Sequence, residues 1–182
     1  MALQFTIVSA SEGDRDQISK SLNDFFSDEV NVVQDWVPFL STDNGINDFI
    51  TGTHIYANHS LLTSSDSVQL VISTASIIEQ VAALTLCIKK MTHGEDRVKL
   101  THQLIVLEGL LREDIKRWDT VYYKPVDPTT EFDDEIIKIF VELSSNSAKG
   151  KKNFVVLPKD TDKAADIIME TIEDWFGLNR GE

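Results

Sequence analysis

The hydrophobic residues between positions 68 and 118 follow two helical patterns that dominate the chain. In the second pattern apolar residues recur at steps of three and four, which places them on one face of a helix. Its members are Leu100, Leu104, Leu107, Leu111, Ile115 and Trp118. The first pattern predicts a helix from about Ala75 to Met91, and the Gly94 that follows is a residue type that commonly ends helices. We expect the two helices to pack as an antiparallel pair.

The N-terminal residues predict a strand, a polar turn, a helix and a second strand. Phe5, Ile7 and Val8 form a short run typical of a buried strand. Apolar residues at helical spacing follow the turn at Ile18, Leu22, Phe25 and Phe26. The run from Val30 to Val33 predicts a further strand, so this unit is expected to be a parallel crossover.

The segment from residue 39 to residue 67 is polar, and an unstructured loop of that length would be unusual in a compact domain. We therefore expect one short helix around Ile46 to Ile50. Val68 to Ile72 is either a third strand or the first turns of the following helix, and the strand is favoured because polar, serine-rich sequence bounds it.

Beyond Trp118 the pattern alternates between strands and helices. It predicts a strand at Val121 to Val126, a helix that starts near Thr130, a strand at Phe154 to Leu157 and a last helix that ends near Gly177. This alternation favours an α/β fold with a mainly parallel sheet and an inserted helical hairpin.

Composition fits a single α/β domain that spans residues 1–182. The chain is 42% hydrophobic, which suffices for a sizeable core. Its formal net charge is −13, so its field opposes binding to nucleic acid or to an anionic membrane, and neither is expected as a partner. The acidity either keeps the protein soluble or attracts a basic partner.

Cysteine and histidine usage excludes several kinds of site. Cys87 is the only cysteine, so a disulfide framework and a thiolate metal cluster are excluded. His54 and His59 are spaced too far apart for a helical metal pair, and no metal site is predicted. No secretion signal or membrane-spanning apolar run is recognisable, so a cytoplasmic location is expected.

The residues Phe5-Thr6-Ile7-Val8-Ser9-Ala10-Ser11-Glu12-Gly13-Asp14-Arg15-Asp16 resemble the first strand and loop of bacterial TIR (Toll/interleukin-receptor) domains. The next predicted elements follow the same order, including a second strand ending at Asp35-Trp36 and a third ending at Ser73. The resemblance covers roughly the first 90 residues. It implies a flavodoxin-like or TIR-like layout.

In this family the enzymatic members cleave NAD with a glutamate on the helix after the third strand. Glu79 is the only acidic residue of that helix, so the resemblance assigns it the catalytic role, although it follows Ser73 more closely than is usual. If Glu79 faces a cleft, burial would raise its pKa and suit it to acid/base work. If it faces water, it is a surface residue.

Candidate binding residues lie where the first strand meets the first helix. Ser9, Ser11 and Gly13 occupy this position, where amides and the helix dipole favour anions. No glycine-rich phosphate fingerprint is present, and the alternative is an ordinary capped turn. Trp36 is a further candidate, either for cofactor or partner binding or as a cap on the core.

Three functions follow as expectations. The first is a signalling or host-defence module that acts through protein–protein association, including self-association, and requires no cofactor. The alternative is a hydrolase that cleaves NAD or a related nucleotide, with Glu79 as the catalytic group and the Ser9 to Gly13 loop holding the dinucleotide. The third is an acidic, non-enzymatic protein that sequesters a basic partner.

Overall fold

The computed structural model describes residues 3–26, 31–33, 70–74, 76–146 and 153–177. One five-stranded sheet forms its centre, in the order β2-β3-β1-β4-β5, and every pair of neighbouring strands is parallel. The strands are β1 (Leu3–Val8), β2 (Asn31–Val33), β3 (Leu70–Ser73), β4 (Thr120–Tyr123) and β5 (Asn153–Val156). The helices are α1 (Glu12–Phe26), α2 (Ile77–Lys90), α3 (Glu95–Arg117), α4 (Glu131–Asn146) and α5 (Thr161–Phe176).

The predicted α/β fold with a parallel sheet and an inserted helical hairpin is confirmed. Residues 70–73 are a strand and not the start of a helix, since Leu70 pairs with Leu3 and Ile72 pairs with Phe5. The hairpin consists of α2 and α3, whose apolar faces join one core cluster. The predicted short helix around Ile46 to Ile50 lies outside the described residues.

Two hydrophobic clusters cover the two faces of the sheet, because successive side chains of a strand point to opposite sides. Val8, Val121 and Tyr123 face the cluster that includes α2, α3 and α4. Phe5 and Tyr122 face the cluster that includes α1 and α5. Each face is thus closed by helices, as parallel sheets require.

The helix ends follow from local sequence. Asp160 caps α5 by accepting a hydrogen bond from the Lys163 amide at 3.0 Å, and Gly177 ends that helix with a φ of 64°. α4 continues through the polar residues Ser144 and Ser145 and ends at Asn146. Within the described ranges no helix is both long and apolar enough to cross a membrane.

Core packing gives a first testable prediction. Ile136 of α4 is fully buried, whereas Ile105 of α3 is 61% exposed. We expect Ile136→Val to lower the free energy of unfolding by about 0.5–1.5 kcal/mol, because one buried methylene is lost. The matched change Ile105→Val removes the same atom from a wet surface and is expected to stay within about 0.5 kcal/mol. Urea denaturation of both variants measures the difference, and equal losses would contradict the placement of these helices.

Candidate functional site

Polar residues gather at the carboxyl edge of the sheet, where β1 and β4 end side by side. Ser9 directly follows β1 and Lys124 directly follows β4, and both are buried. Only Ser9, Ala10 and Ser11 separate β1 from α1. In open α/β sheets ligands bind in the crevice at this edge, so the residues here are the natural candidates for a site.

Glu79 is placed by the start of α2. Ser76 is the N-cap residue of this helix, and its hydroxyl accepts a hydrogen bond from the Ile78 amide at 3.1 Å. Glu79 lies three residues later, and its Oε2 accepts a hydrogen bond from the Ser76 amide at 3.4 Å. This reciprocal arrangement is a capping box, which fixes the position of the carboxylate relative to β3.

The other carboxylate oxygen of Glu79 reaches the loop after β1. Glu79 Oε1 accepts a hydrogen bond from the Ser9 amide at 2.8 Å and lies 2.6 Å from Arg15 Nη1. The same Arg15 nitrogen donates to the Ser9 carbonyl at 2.8 Å. All three residues are buried, and Glu79 is only 1% exposed. The carboxylate therefore links α2, α1 and the first loop.

Burial and pairing have opposite effects on the Glu79 carboxyl. Burial raises its pKa, because the charged form loses its hydration. The positive charge of Arg15 and the amides of Ser9 and Ser76 act in the other direction. Burial has the larger effect, so the pKa of Glu79 stays above its ordinary value, and Arg15 limits the rise.

A second ion pair lies at the end of β4. Lys124 Nζ is 2.6 Å from Asp14 Oδ2, and the Thr161 hydroxyl donates to Asp14 Oδ1 at 3.1 Å. Burial raises the pKa of Asp14, but the hydrogen bonds and charge of Lys124, together with Thr161, outweigh it and lower the pKa below its ordinary value. This pair joins β4 to the first turns of α1 and α5.

A third carboxyl group is buried beside the same edge. Asp133 lies in the first turn of α4, and its Oδ1 accepts a hydrogen bond from the Tyr123 hydroxyl at 2.8 Å. Burial raises the pKa of Asp133, and the hydrogen bonds from Tyr123 and from the Val126 amide partly oppose this rise. The hydroxyl of Tyr123 is also held protonated, because burial raises its pKa.

The predicted binding residues have different roles in the structure. The Ser9 amide donates a hydrogen bond to Glu79, so these two predicted residues are in contact. The Ser11 hydroxyl accepts a hydrogen bond from the Asp14 amide at 3.2 Å, which is the capped turn considered as the alternative. Gly13 is exposed, and a Cβ added there would meet no atom within 4 Å, so no close approach requires glycine. Trp36 lies outside the described residues.

Sequence reasoning missed the charged partners of these residues. The sequence pattern assigns no role to Asp14 or Arg15, and it places Lys124 only within the predicted strand from Val121 to Val126. One signal was available for Lys124, because it directly follows the apolar run Val121 to Tyr123 and precedes Pro125. A charged residue at the carboxyl end of a buried strand is a candidate for the site of an α/β sheet.

The described residues do not form a metal site. No group of three or more histidine, cysteine, aspartate or glutamate side chains converges within them. The carboxylates at the sheet edge are each engaged by another side chain: Asp14 by Lys124, Glu79 by Arg15 and Asp133 by Tyr123.

A surface cavity of about 400 Å³ lies at the turn between α2 and α3. It is lined by His93, Gly94, Arg97, Val98, Thr101 and His102. None of these residues belongs to the polar network at the carboxyl edge, so the cavity is separate from the candidate site.

Comparison with known proteins shows the fold. No family model and no curated protein matches the sequence. The fold matches the structure of deoxyadenosine kinase from M. mycoides with bound dATP, with a TM-score of 0.60 and 12% identity over 94% of this chain and 100% of that chain. A second structure of that kinase, with the products dCMP and a flexible dCDP bound, gives a TM-score of 0.58 at 9% identity over the same shares. The chain therefore has the fold of this kinase.

The resemblance to TIR domains is wrong. The match to the kinase covers nearly the whole chain, whereas the TIR resemblance was specific only for the strand and loop from Phe5 to Asp16. A strand that runs into a polar turn and a helix is common to many α/β folds, which explains the error. In addition, β3 lies between β1 and β2, whereas a flavodoxin-like sheet places its first strand next to its second.

The functions expected from the sequence are corrected with it. The signalling or host-defence module, the NAD-cleaving hydrolase that uses Glu79 and the acidic protein that sequesters a basic partner are all wrong, since the shared fold is that of a nucleotide-binding kinase. The expectation that NAD is a substrate is wrong for the same reason.

Proposed function

We propose that this chain binds deoxynucleosides or deoxynucleotides and belongs, by its reaction, with the deoxynucleoside kinases. The supporting observation is the network of buried charged side chains at the carboxyl edge of β1 and β4, on a fold whose structural relatives hold dATP and dCMP. Arg15 and Lys124 bring two positive charges to this edge, where phosphate groups bind in open α/β sheets.

The proposed reaction transfers a phosphoryl group from a nucleoside triphosphate to a deoxynucleoside hydroxyl. A new bond forms between that oxygen and the γ-phosphorus, the bond from the γ-phosphorus to the leaving diphosphate oxygen breaks, and the hydroxyl proton is released. Catalysis of such transfers depends mainly on positioning and on electrostatic stabilisation. No group of three or more potential metal ligands converges among the described residues, and we derive no step that uses a metal ion.

A second candidate function is ligand binding without phosphoryl transfer. It is favoured by the connection between β1 and α1, which has only three residues and lacks the G-x-x-x-x-G-K-[ST] pattern of phosphate-binding loops. The amide of Ser9, which a phosphate could use, is already engaged by Glu79.

Two further expectations from the sequence remain predictions. They are association with a protein partner or with a second copy, and a cytoplasmic location.

Calorimetric titration with deoxyadenosine, deoxycytidine and dATP tests binding, and transfer of label from γ-labelled ATP to the two deoxynucleosides tests the reaction. We expect saturable binding of at least one ligand and formation of its labelled monophosphate. Binding without label transfer would support the second candidate, and absence of binding to every ligand would contradict both.

Two variants that each lose one positive charge locate the site. Lys124→Met removes the charge at the sheet edge, whereas Arg112→Met removes one from an exposed position of α3. We expect the first to weaken dATP binding at least tenfold and the second to leave it unchanged. Equal effects would place the ligand elsewhere.

A further inference from the structure

We infer that the Glu79 carboxylate is an internal anion that occupies a phosphate-binding position formed by the Ser9 amide and Arg15, and so keeps it closed. A phosphate group would bind there only when this carboxylate is removed or displaced. The inference concerns the same site as the proposed function and rests on it for the nature of the ligand.

The position is an anion site because an anion already occupies it. Glu79 Oε1 receives the Ser9 amide at 2.8 Å and Arg15 Nη1 at 2.6 Å, which are the distances of charge-assisted hydrogen bonds. Arg15 is held in place by a second hydrogen bond, to the Ser9 carbonyl. Because both donors are buried, they are oriented before any external ligand arrives.

The location of this pair matches the chemistry of phosphate binding. Ser9 follows the first strand, and α1 begins three residues later, so the amide and the guanidinium lie between a strand end and a helix start. Phosphate groups bind at this junction in many α/β proteins, since amides and the helix dipole favour negative charge. In this chain a side chain of α2 supplies the negative charge instead.

The occupied position is closed to an external phosphate. A phosphate would have to share two donors with Glu79 and would meet its negative charge at close range. Within the part of the chain that the structure describes, three carboxylates at this edge (Asp14, Glu79 and Asp133) face two cations, Arg15 and Lys124. The charge at this edge therefore favours a phosphate only after the Glu79 carboxylate has been removed or displaced.

The test compares binding of inorganic phosphate to the wild type, Glu79→Ala and Glu108→Ala. Glu79→Ala removes the carboxylate that accepts from the Ser9 amide and Arg15, whereas Glu108→Ala removes an equal charge from an exposed position of α3. We expect phosphate to bind Glu79→Ala at least tenfold more tightly than it binds the other two proteins. Bound phosphate should also raise the melting temperature of that variant relative to chloride at equal ionic strength, because a ligand that binds the folded state stabilises it.

Two further variants make the test specific. Arg15→Met combined with Glu79→Ala lacks the cation, and the gain in phosphate affinity should be lost. Glu79→Gln retains the size of the side chain and replaces Glu79→Ala in the test if the alanine variant does not fold. We expect a smaller gain in phosphate affinity from it, because the negative charge is gone but the glutamine side chain still fills the space. If neither variant binds phosphate more tightly than Glu108→Ala, or if the wild type binds it equally well, the inference is overturned.

Deoxyadenosine and dAMP separate this inference from the proposed function. A phosphate gain in Glu79→Ala without binding of either compound beyond that of inorganic phosphate would support the closed anion position and contradict the nucleotide function. Binding of deoxyadenosine to the wild type without any phosphate gain in the variants would support the function and contradict the closed position. If Glu79→Ala gains affinity for dAMP but not for deoxyadenosine, the phosphate of the nucleotide is the group that takes the position of Glu79.

Discussion

Replacement of Arg15 by methionine is expected to lower the free energy of unfolding by about 3–5 kcal/mol at neutral pH. The change leaves Glu79 as a carboxylate that is 1% exposed and has lost its cation. It also removes the hydrogen bond from Arg15 to the Ser9 carbonyl. Urea or guanidinium denaturation at pH 7 measures the loss, and Arg112→Met, on the exposed side of α3, is the matched control with an expected change within about 0.5 kcal/mol.

The loss should depend on pH in a defined direction. Burial already raises the pKa of Glu79, and Arg15 opposes that rise, so removal of Arg15 raises this pKa further. An acid whose pKa is raised in the folded state contributes stability at low pH that is lost as the pH rises through the folded-state pKa. The deficit of Arg15→Met relative to the wild type should therefore shrink as the pH falls from about 7 towards about 5.

Glu79→Gln should cost less than Arg15→Met. The amide oxygen can still accept from the Ser9 amide, and the variant loses the buried negative charge that desolvation disfavours. Arg15 keeps its hydrogen bond to the Ser9 carbonyl. We expect a loss of about 1–3 kcal/mol, because the buried Arg15 guanidinium loses its counter-charge but keeps hydrogen-bond acceptors. The loss in the double variant is expected to be smaller than the sum of the two single losses. A cost for Glu79→Gln equal to that of Arg15→Met would contradict this account.

The sequence predicted most of the architecture because the determinants of its elements are local. The spacing of Leu100, Leu107 and Leu111 predicted α3, and all three are buried in the core. The run that includes Ile72 was ambiguous by periodicity, and its pairing with Phe5 of β1 depends on a residue far away in the chain. Strand order was not predictable for the same reason, since the insertion of β3 between β1 and β2 leaves no local pattern.

The candidate site was predictable only in part. Ser9 and Glu79 were both singled out, and the structure joins them, but the chemistry assigned to Glu79 came from a resemblance that the fold corrects. Arg15 was missed because a charged residue in the first turns of an amphipathic helix is usually solvated, and sequence does not show which side it faces. Lys124 was missed because its partner, Asp14, is 110 positions away.

Asp14→Asn is expected to destabilise the protein by about 3–5 kcal/mol, whereas Lys124→Met should cost only about 1 kcal/mol. The two side chains form one ion pair, but Lys124 is 3% exposed and Asp14 is 25% exposed. Removal of the aspartate charge leaves a buried ammonium group without its carboxylate. Removal of the lysine leaves a carboxylate that water and the Thr161 hydroxyl still solvate, while methionine fills a similar volume.

The pH dependence provides an independent check on the same pair. Although burial raises the pKa of Asp14, Lys124 and Thr161 lower it below its ordinary value in the folded protein. A carboxyl group of this kind contributes stability above its unfolded-state pKa, and that stability is lost as the pH falls through the folded-state pKa. The loss of stability of the wild type below about pH 4 should therefore be steeper than that of Lys124→Met. If Lys124→Met proves as costly as Asp14→Asn, or if the two acid profiles coincide, the pair does not hold β4, α1 and α5 together in the way the structure indicates.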